Sequence, residues 1–373
     1  PSTVTEIGDY AFYMMPKLSS FTVSENVKSV GDAPFQGDSS LKKLIFKASI
    51  TDTPYSMCKD CTSLTDVTLG NSITEIYNRA FMGCTSLTNV IMPSKLQKID
   101  GAAFLDCTSL VNVKYPTTLE YISSSAFTDS GVTQFPNWLS KRDDGAYVSL
   151  GSIIFDGTYK YDMAYEVLDI VNSERSKVGL SRLKMDKELL ESAMLRAAEI
   201  AAYYSHTRPD GSSTTSVSPL LYAENIAIGY STATSVMNGW MSSTGHKANI
   251  LGNYTSVGVG CFTQGGLKYW VQCFGKNAPE EFTKPTDKNV TITTNLLIEY
   301  LKSEYLSFRS SIYYFKCDEE TQLEVRLFNT ETTGFVCELN PTSFNWTTSN
   351  SEIATVNEKG IVTGHNPGNF TVT

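Results

Sequence analysis

Apolar residues recur through the first third of the chain at a fixed interval of 23. Phe12, Phe35, Phe81, Phe104 and Phe127 lie on one grid, with Cys58 at its vacant point. Leu18, Leu41, Leu64, Leu87 and Leu110 keep step, as do Ile7, Val30, Ile76, Ile99 and Ile122. A unit this short cannot bury its own apolar side, so successive units must stack and share a core, with a short strand from each lining one face. The period predicts a solenoid over residues 1–135. Its last unit, at 129–135, loses the cysteine and shifts by a residue, as a terminal repeat does.

Residues 136–159 carry Pro136, Gly145, Gly151 and Gly157 and are expected to be a connector of hairpin and loop. The period then changes. Val167, Leu168 and Val171, and later Leu189, Leu190, Ala193, Ala197, Ile200, Ala201 and Tyr204, recur at spacings of three and four, which predicts helices. Asp186 is placed to cap the second, which ends near His206, and a third starts near Ala233 and passes Trp240. Apolar positions alternate with period two over 257–262 and 269–274, around Gly265-Gly266, which predicts a hairpin. If those glycines are a two-residue turn, Cys261 faces Trp270 and Cys273 faces Gly258, so the two thiols lie on opposite faces and form no bond. The α/β domain is expected to occupy 160–277, with a linker at 278–289 marked by Pro279 and Pro285. Strand-like runs at 323–327, 344–347, 353–356 and 361–363, separated by Asn, Gly and Ser turns, predict an all-β sandwich over 290–373.

Composition narrows the function classes. No apolar run approaches the roughly 18 to 20 residues of a membrane helix, so no membrane span is expected. Thirty Lys plus Arg against 39 Asp plus Glu give a net charge of -9, which repels polyphosphate and argues against a nucleic-acid partner. Eight cysteines in 373 residues are too sparse for a disulfide scaffold, and three belong to the repeat. Residues 1–7 enter in mid-repeat and 370–373 stop within a strand-like pattern, so the last module is expected to be truncated and any signal peptide or anchor to lie outside this stretch. Cys58 and Cys61 make a Cys-x-x-Cys pair that could be redox-active or half a zinc site. No second pair or flanking histidine completes a metal site, and the repeat accounts for Cys61.

Chemistry concentrates in the middle domain. Two of the three histidines, His206 and His246, fall where helical pattern gives way to polar loop, which leans functional. Between them Glu224 is set among apolar neighbours, where burial demands a partner. His365, in a Gly-His-Asn-Pro turn, reads as solvated. No nucleophile-elbow motif accompanies Ser205 or Ser243.

Three resemblances follow. Cys-Thr-Ser-Leu at 61–64, 84–87 and 107–110, with Ala-Phe at 80–81, 103–104 and 126–127, resembles BspA-type leucine-rich repeats, which implies surface display and protein binding. Ser205-His206-Thr207-Arg208-Pro209-Asp210-Gly211, Ala223-Glu224-Asn225-Ile226-Ala227 and the stretch from Trp240 through Gly245-His246-Lys247-Ala248-Asn249-Ile250-Leu251 resemble the bacterial branch of the CAP superfamily. That superfamily gathers cysteine-rich secretory, antigen 5 and pathogenesis-related proteins, and implies an α-β-α sandwich. Trp346-Thr347-Thr348-Ser349-Asn350 and Gly360-Ile361-Val362-Thr363-Gly364 resemble the group 2 bacterial Ig-like domain. Cys317 and Cys337 could bridge that domain and are left open. The expected architecture is therefore multidomain: leucine-rich-repeat solenoid, α-β-α sandwich, all-β Ig-like sandwich.

CAP members with a full cavity hold a divalent ion with two His and two Glu. His206 matches the first His and Glu224 the first Glu, but the second Glu is Ser243 here and the second His is Asn253; His246 stands nearby as a substitute. Trp240 and Asn249 read as parts of the cavity wall. Three readings of His206, Glu224 and His246 stay open: a polar cavity for a small ligand, lined also by Ser243 and Asn253; a site for a divalent metal such as zinc; and a hydrolytic site in which one of the trio activates water. The first makes the chain a secreted or cell-surface bacterial binding or adhesion protein, with a host or surface protein on the solenoid. The rival class is a metal-dependent hydrolase of peptidase type, disfavoured by Ser243 and Asn253.

Overall fold

The structure is a computed structural model, which describes residues 3–301, 305–308, 318–328 and 336–373. It falls into two compact units, Pro1–Leu150 and Gly151–Thr373.

The first unit is the solenoid that the period predicts. Each turn adds one strand to a parallel ladder, Ser20–Val23, Lys43–Phe46, Asp66–Leu69 and Asn89–Ile91, in a register that sets Leu44 against Val67 and Val67 against Val90. A second parallel ladder joins Glu75–Ile76, Lys98–Ile99 and Tyr121–Ile122. Ser140–Lys141 and Tyr147–Val148, read from sequence as part of a connector, form a hairpin that extends this ladder. The grid residues Phe35, Leu41, Leu64, Phe81, Leu87, Phe104 and Leu110 are fully buried. Their rings stack from turn to turn, with centroids 5.2 Å apart for Phe81 and Phe104 and 5.0 Å for Phe104 and Phe127. The repeat cysteines satisfy buried carbonyls: the thiols of Cys61, Cys84 and Cys107 donate to the oxygens of Phe35, Cys58 and Phe81 at 2.9, 3.1 and 3.1 Å.

Asp38 occupies the point of that cysteine grid one repeat before Cys61. It is fully buried, its Oδ1 accepts the Met15 amide, and its Oδ2 has no partner among the described residues. Burial pushes its pKa up to about 6, against 3.8 for a free side chain. The native state therefore binds more protons than the unfolded chain between those values. The group's cost grows as pH rises through that window and is fully present at neutral pH. Asp38→Asn is expected to stabilise the unit by about 1 kcal/mol at neutral pH and to be neutral near pH 4, as read by thermal unfolding. Equal effects at both pH values would refute the account.

The second unit is organised by one sheet, in the order Ala223–Ile228, Leu267–Gly275, Ser256–Gln264, Leu150–Tyr159, Lys288–Leu297. Four helices accompany it: α1 (Tyr161–Lys177), α2 (Lys187–Ala202), α3 (Ala233–Ser242) and α4 (Thr244–Ile250). As expected, Asp186 caps α2, accepting the Leu189 amide at 2.9 Å. The central hairpin turns at Gly265 and Gly266, whose φ values of 56° and 79° suit the two-residue turn. Its register sets Cys261 against Trp270 and Gly258 against Cys273. One face packs Phe262, Tyr269, Val271 and Cys273 with Ala193, Ala197 and Ala201 of α2. The other packs Val257, Val259, Cys261, Trp270 and Phe274 with Val167 and Val171 of α1 and Val236, Met237 and Trp240 of α3. The two thiols accordingly lie on opposite faces, and the layers run α-β-α.

Two strands depart from the sequence reading. Leu150–Tyr159, placed in the connector, and Lys288–Leu297, placed with the last segment, pair side by side in this sheet because they bury Ile153, Phe155, Ile292 and Leu296 in its core.

Beyond them lie two three-stranded sheets, Leu306–Phe308 with Val325–Phe328 and Val336–Leu339, and Glu320–Gln322 with Ile361–Gly364 and Ala354–Val356. Val325, Leu327, Cys337 and Leu339 share the core of α2, whereas Leu323, Ala354 and Val362 make a small core of their own. The strand expected at 344–347 does not form. Phe344 and Trp346 follow a short 3-10 turn at Pro341–Ser343, with the Trp346 indole donating to the Pro341 carbonyl at 2.9 Å, and pairing starts only at Thr347, which exchanges backbone hydrogen bonds with Thr373 before Thr348 bridges Val372. Cys317 lies outside the described residues; Cys337 is buried.

Candidate functional site

The site is built on the outer strand Ala223–Ile228 and on the loop that leaves α2. Glu224 pairs in register with Cys273 and so faces the α2 layer. There α2 presents Arg196, fully buried among alanines and one turn from the buried Glu199. Its Nε donates to Glu224 Oε1 at 2.9 Å, its Nη1 to Glu199 Oε2 at 2.8 Å, and its Nη2 to the Ser205 carbonyl at 2.8 Å. Glu199 also receives Arg208, through Nε at 3.1 Å and Nη2 at 2.5 Å. The loop carrying Arg208 is closed by a bridge between Thr207 and Ser213, with Gly211 turning it at φ 79°. Two guanidinium groups and two carboxylates thus form one chain of ion pairs.

His206 completes it. Its Nδ1 lies 2.8 Å from Glu224 Oε2, while Thr214 donates to Oε1 at 2.8 Å. The Glu224 side chain is 2% exposed and that of His206 59%. Burial alone would raise the Glu224 pKa; the hydrogen bond from His206, the charge and hydrogen bond of Arg196 and the Thr214 hydroxyl outweigh it and hold the carboxyl below its ordinary range. An ionised Glu224 accepts the Nδ1 proton, so in the neutral ring Nε2 is left as an acceptor on the exposed side.

The opposite face of the same strand is fixed by amides. Asn225 donates to the His246 carbonyl at 3.1 Å and to Gln272 Oε1 at 2.9 Å, and Asn249 donates to Asn225 Oδ1 at 2.8 Å. Trp240 is buried and donates to the Ile226 carbonyl at 3.3 Å. These bonds seat α4 against the strand and bring the half-buried His246 near His206: burial, and then the charge of His206, lower its pKa. Ser243 is half-buried at the junction of α3 and α4, and Asn253 is exposed in the turn after α4.

The structure therefore joins His206 directly to Glu224, places His246 close by, and leaves Asn253 at the surface. Sequence reasoning missed Arg196, Glu199 and Arg208. The available signal was Arg196 and Glu199 one turn apart within a run of alanines. A three-ligand zinc centre does not fit this donor set, because Glu224 has Oε1 engaged by Arg196 and Thr214 and Oε2 by His206. Among the described residues no three His, Cys, Asp or Glu are grouped as such a centre needs.

Residues 1–137 match the model of the BspA type leucine rich repeat region in six copies, 168–274 that of the cysteine-rich secretory protein family, and 329–373 that of the group 2 bacterial Ig-like domain. Two curated proteins of Bacillus subtilis (strain 168) are similar. The uncharacterized protein YkwD is 36% identical over 122 residues, 30% of this chain and 47% of its own. The uncharacterized membrane protein YlbC is 30% identical over 118 residues, 28% of this chain and 34% of its own. The chain spans less than half the length of these relatives. Among solved structures, a leucine-rich repeat protein from Eubacterium ventriosum is 38% identical, covering 39% of this chain and 40% of that one, with a TM-score of 0.39. An extracellular protein containing an SCP domain from Bacillus anthracis is 24% identical, covering 32% and 41%, with a TM-score of 0.29.

Proposed function

We propose that this chain, which carries BspA-type repeats, a CAP domain and a group 2 bacterial Ig-like domain in that order, is a secreted or cell-surface bacterial binding protein. Its repeats engage a host or surface protein, and its CAP domain holds a small polar ligand at His206. One observation carries the second part: a buried, ionised Glu224 holds an exposed imidazole in a single orientation with Nε2 outward. The charges behind it cancel, two guanidinium groups against two carboxylates. The site therefore offers a directed acceptor without net charge, which suits a neutral ligand bearing hydroxyl groups. Among the described residues no helix is long and apolar enough to cross a membrane.

The test is binding of the full chain to a panel of neutral glycans, compared with His206→Ala, with zinc titrated in parallel by calorimetry. The variant is expected to bind a retained glycan about tenfold more weakly, the cost of roughly one hydrogen bond. Micromolar or tighter zinc binding that disappears in the variant would overturn this reading and assign the site to a metal.

A further inference from the structure

The third turn of the solenoid breaks the repeat in two places at once. Positions 80–81, 103–104 and 126–127 are Ala-Phe, but 57–58 are Met-Cys. In the other turns the grid phenylalanine and the residue three positions on are brought together by a turn in which the later amide donates to the earlier carbonyl: Cys84 to Phe81 at 3.1 Å and Cys107 to Phe104 at 3.2 Å. The same bond, Cys61 to Cys58 at 3.1 Å, closes the third turn. Both partners point inward there, and both are now thiols. Cys58 and Cys61 are fully buried, and both are free thiols. Met57, also fully buried, stands where the three later turns have alanine and makes up part of the volume of the missing ring.

A turn closed by a first-to-fourth-residue bond holds its end Cα atoms within about 7 Å, and disulfides span about 4.4 to 6.8 Å. The repeat geometry thus holds the two cysteines at a backbone spacing that a disulfide can bridge. The other solenoid and hairpin cysteines lack this pairing: Cys84 and Cys107 have phenylalanine as turn partner, and Cys261 and Cys273 lie on opposite faces of a sheet. We infer that Cys58 and Cys61 form a disulfide when the chain folds in oxidising surroundings.

The electron balance needs a disulfide donor, either a small molecule such as oxidised glutathione or a thiol oxidoreductase. One cysteine thiolate attacks the donor, forming a mixed disulfide and expelling one donor thiol. The second cysteine thiolate attacks the protein sulfur of that mixed disulfide and expels the other donor thiol. Two electrons and two protons pass from the protein to the donor. Because both sulfurs are buried in the finished solenoid, exchange takes place before the third turn closes. The bond then costs the Phe35 carbonyl its Cys61 donor.

The full chain is denatured, refolded in an oxidising glutathione buffer, and alkylated under denaturing conditions; peptides are then mapped by mass. The expected result is a peptide carrying Cys58 and Cys61 that is two hydrogens lighter and unalkylated, while Cys84, Cys107, Cys261 and Cys273 are alkylated. Cys58→Phe, which restores the repeat pattern, is expected to leave Cys61 alkylated. Full alkylation of both Cys58 and Cys61 in the refolded parent chain would overturn the inference, as would cross-links of either to another cysteine. The outcome is independent of what binds at His206.

Discussion

One methyl group added at position 258 is expected to cost the second unit about 3 kcal/mol or more. A Cβ built on Gly258 would lie 1.9 Å from the Leu189 carbonyl oxygen and 2.5 Å from the Leu190 amide. Both are backbone atoms of α2, so no side chain can turn aside, and the helix itself must lift. Gly260 meets the next turn in the same way, 2.0 Å from the Ala193 oxygen. Raising α2 would open the layer holding Ala193, Ala197 and Ala201 against Val271 and Cys273. Gly258→Ala can be compared with Gly266→Ala, where the φ of 79° is strained but nothing lies within 4 Å, at a cost of about 1 kcal/mol. Denaturant unfolding followed by near-ultraviolet circular dichroism of the buried Trp240 and Trp270 measures both. A loss at Gly258 no larger than at Gly266 would show that α2 does not rest on the strand backbone.

Removing the cation at the centre of the ion-pair chain is the second large effect. Arg196→Met is expected to destabilise the unit by about 3 to 5 kcal/mol, because it strands buried carboxylates without replacing their partner. Glu199 keeps Arg208, so the heavier loss falls on Glu224. Glu224 would then favour its protonated form, and His206 would lose the acceptor that orients it. Arg196→Lys should recover little, since one ammonium cannot reach Glu224, Glu199 and the Ser205 carbonyl from a single point. Arg196→Met combined with Glu224→Gln, which leaves Glu199 paired with Arg208, should regain most of the stability but not the oriented imidazole. The single and double variants, compared by denaturant unfolding and by glycan binding, separate the two roles. A single variant as stable as the parent would remove Arg196 from the account.

How much was legible beforehand depended on the range of the signal. The solenoid shows in the sequence because each grid residue meets its own copy 23 positions away, so the core repeats as the letters do. The register at Cys261 and Trp270 was readable because a two-residue turn leaves only one pairing. His206 and Glu224 stood out by scarcity and by setting. Arg196 and Glu199 did not, because an acid and a base one turn apart look the same on a solvated helix face as beneath a folded loop. Only closure of the chain over 208–214 distinguishes the two. Leu150–Tyr159 and Lys288–Leu297 escaped for a related reason. They are neighbours in space and more than a hundred residues apart in sequence, and their apolar alternation is diluted by Gly, Thr and Asn. At 344–347 the local alternation was real, but it served to seat two aromatic rings around Pro341 instead of a strand.

The placement of Arg196 in the middle of α2 has a bearing on how the site behaves in time. The helix that supplies the guanidinium also covers the sheet, so the Arg196–Glu224 pair behind His206 cannot part while that layer stays intact. Opening it requires breaking the most deeply buried layer of the unit, a cooperative event and not a local fluctuation. On the function proposed above, a ligand at His206 meets a preformed receptor and loses little affinity to ordering it. Occupancy is felt by the whole unit: a bound molecule delays global unfolding in proportion to the logarithm of its concentration over its dissociation constant. On that reading, heat resistance of the domain gauges binding at His206, whatever the chemistry of the ligand.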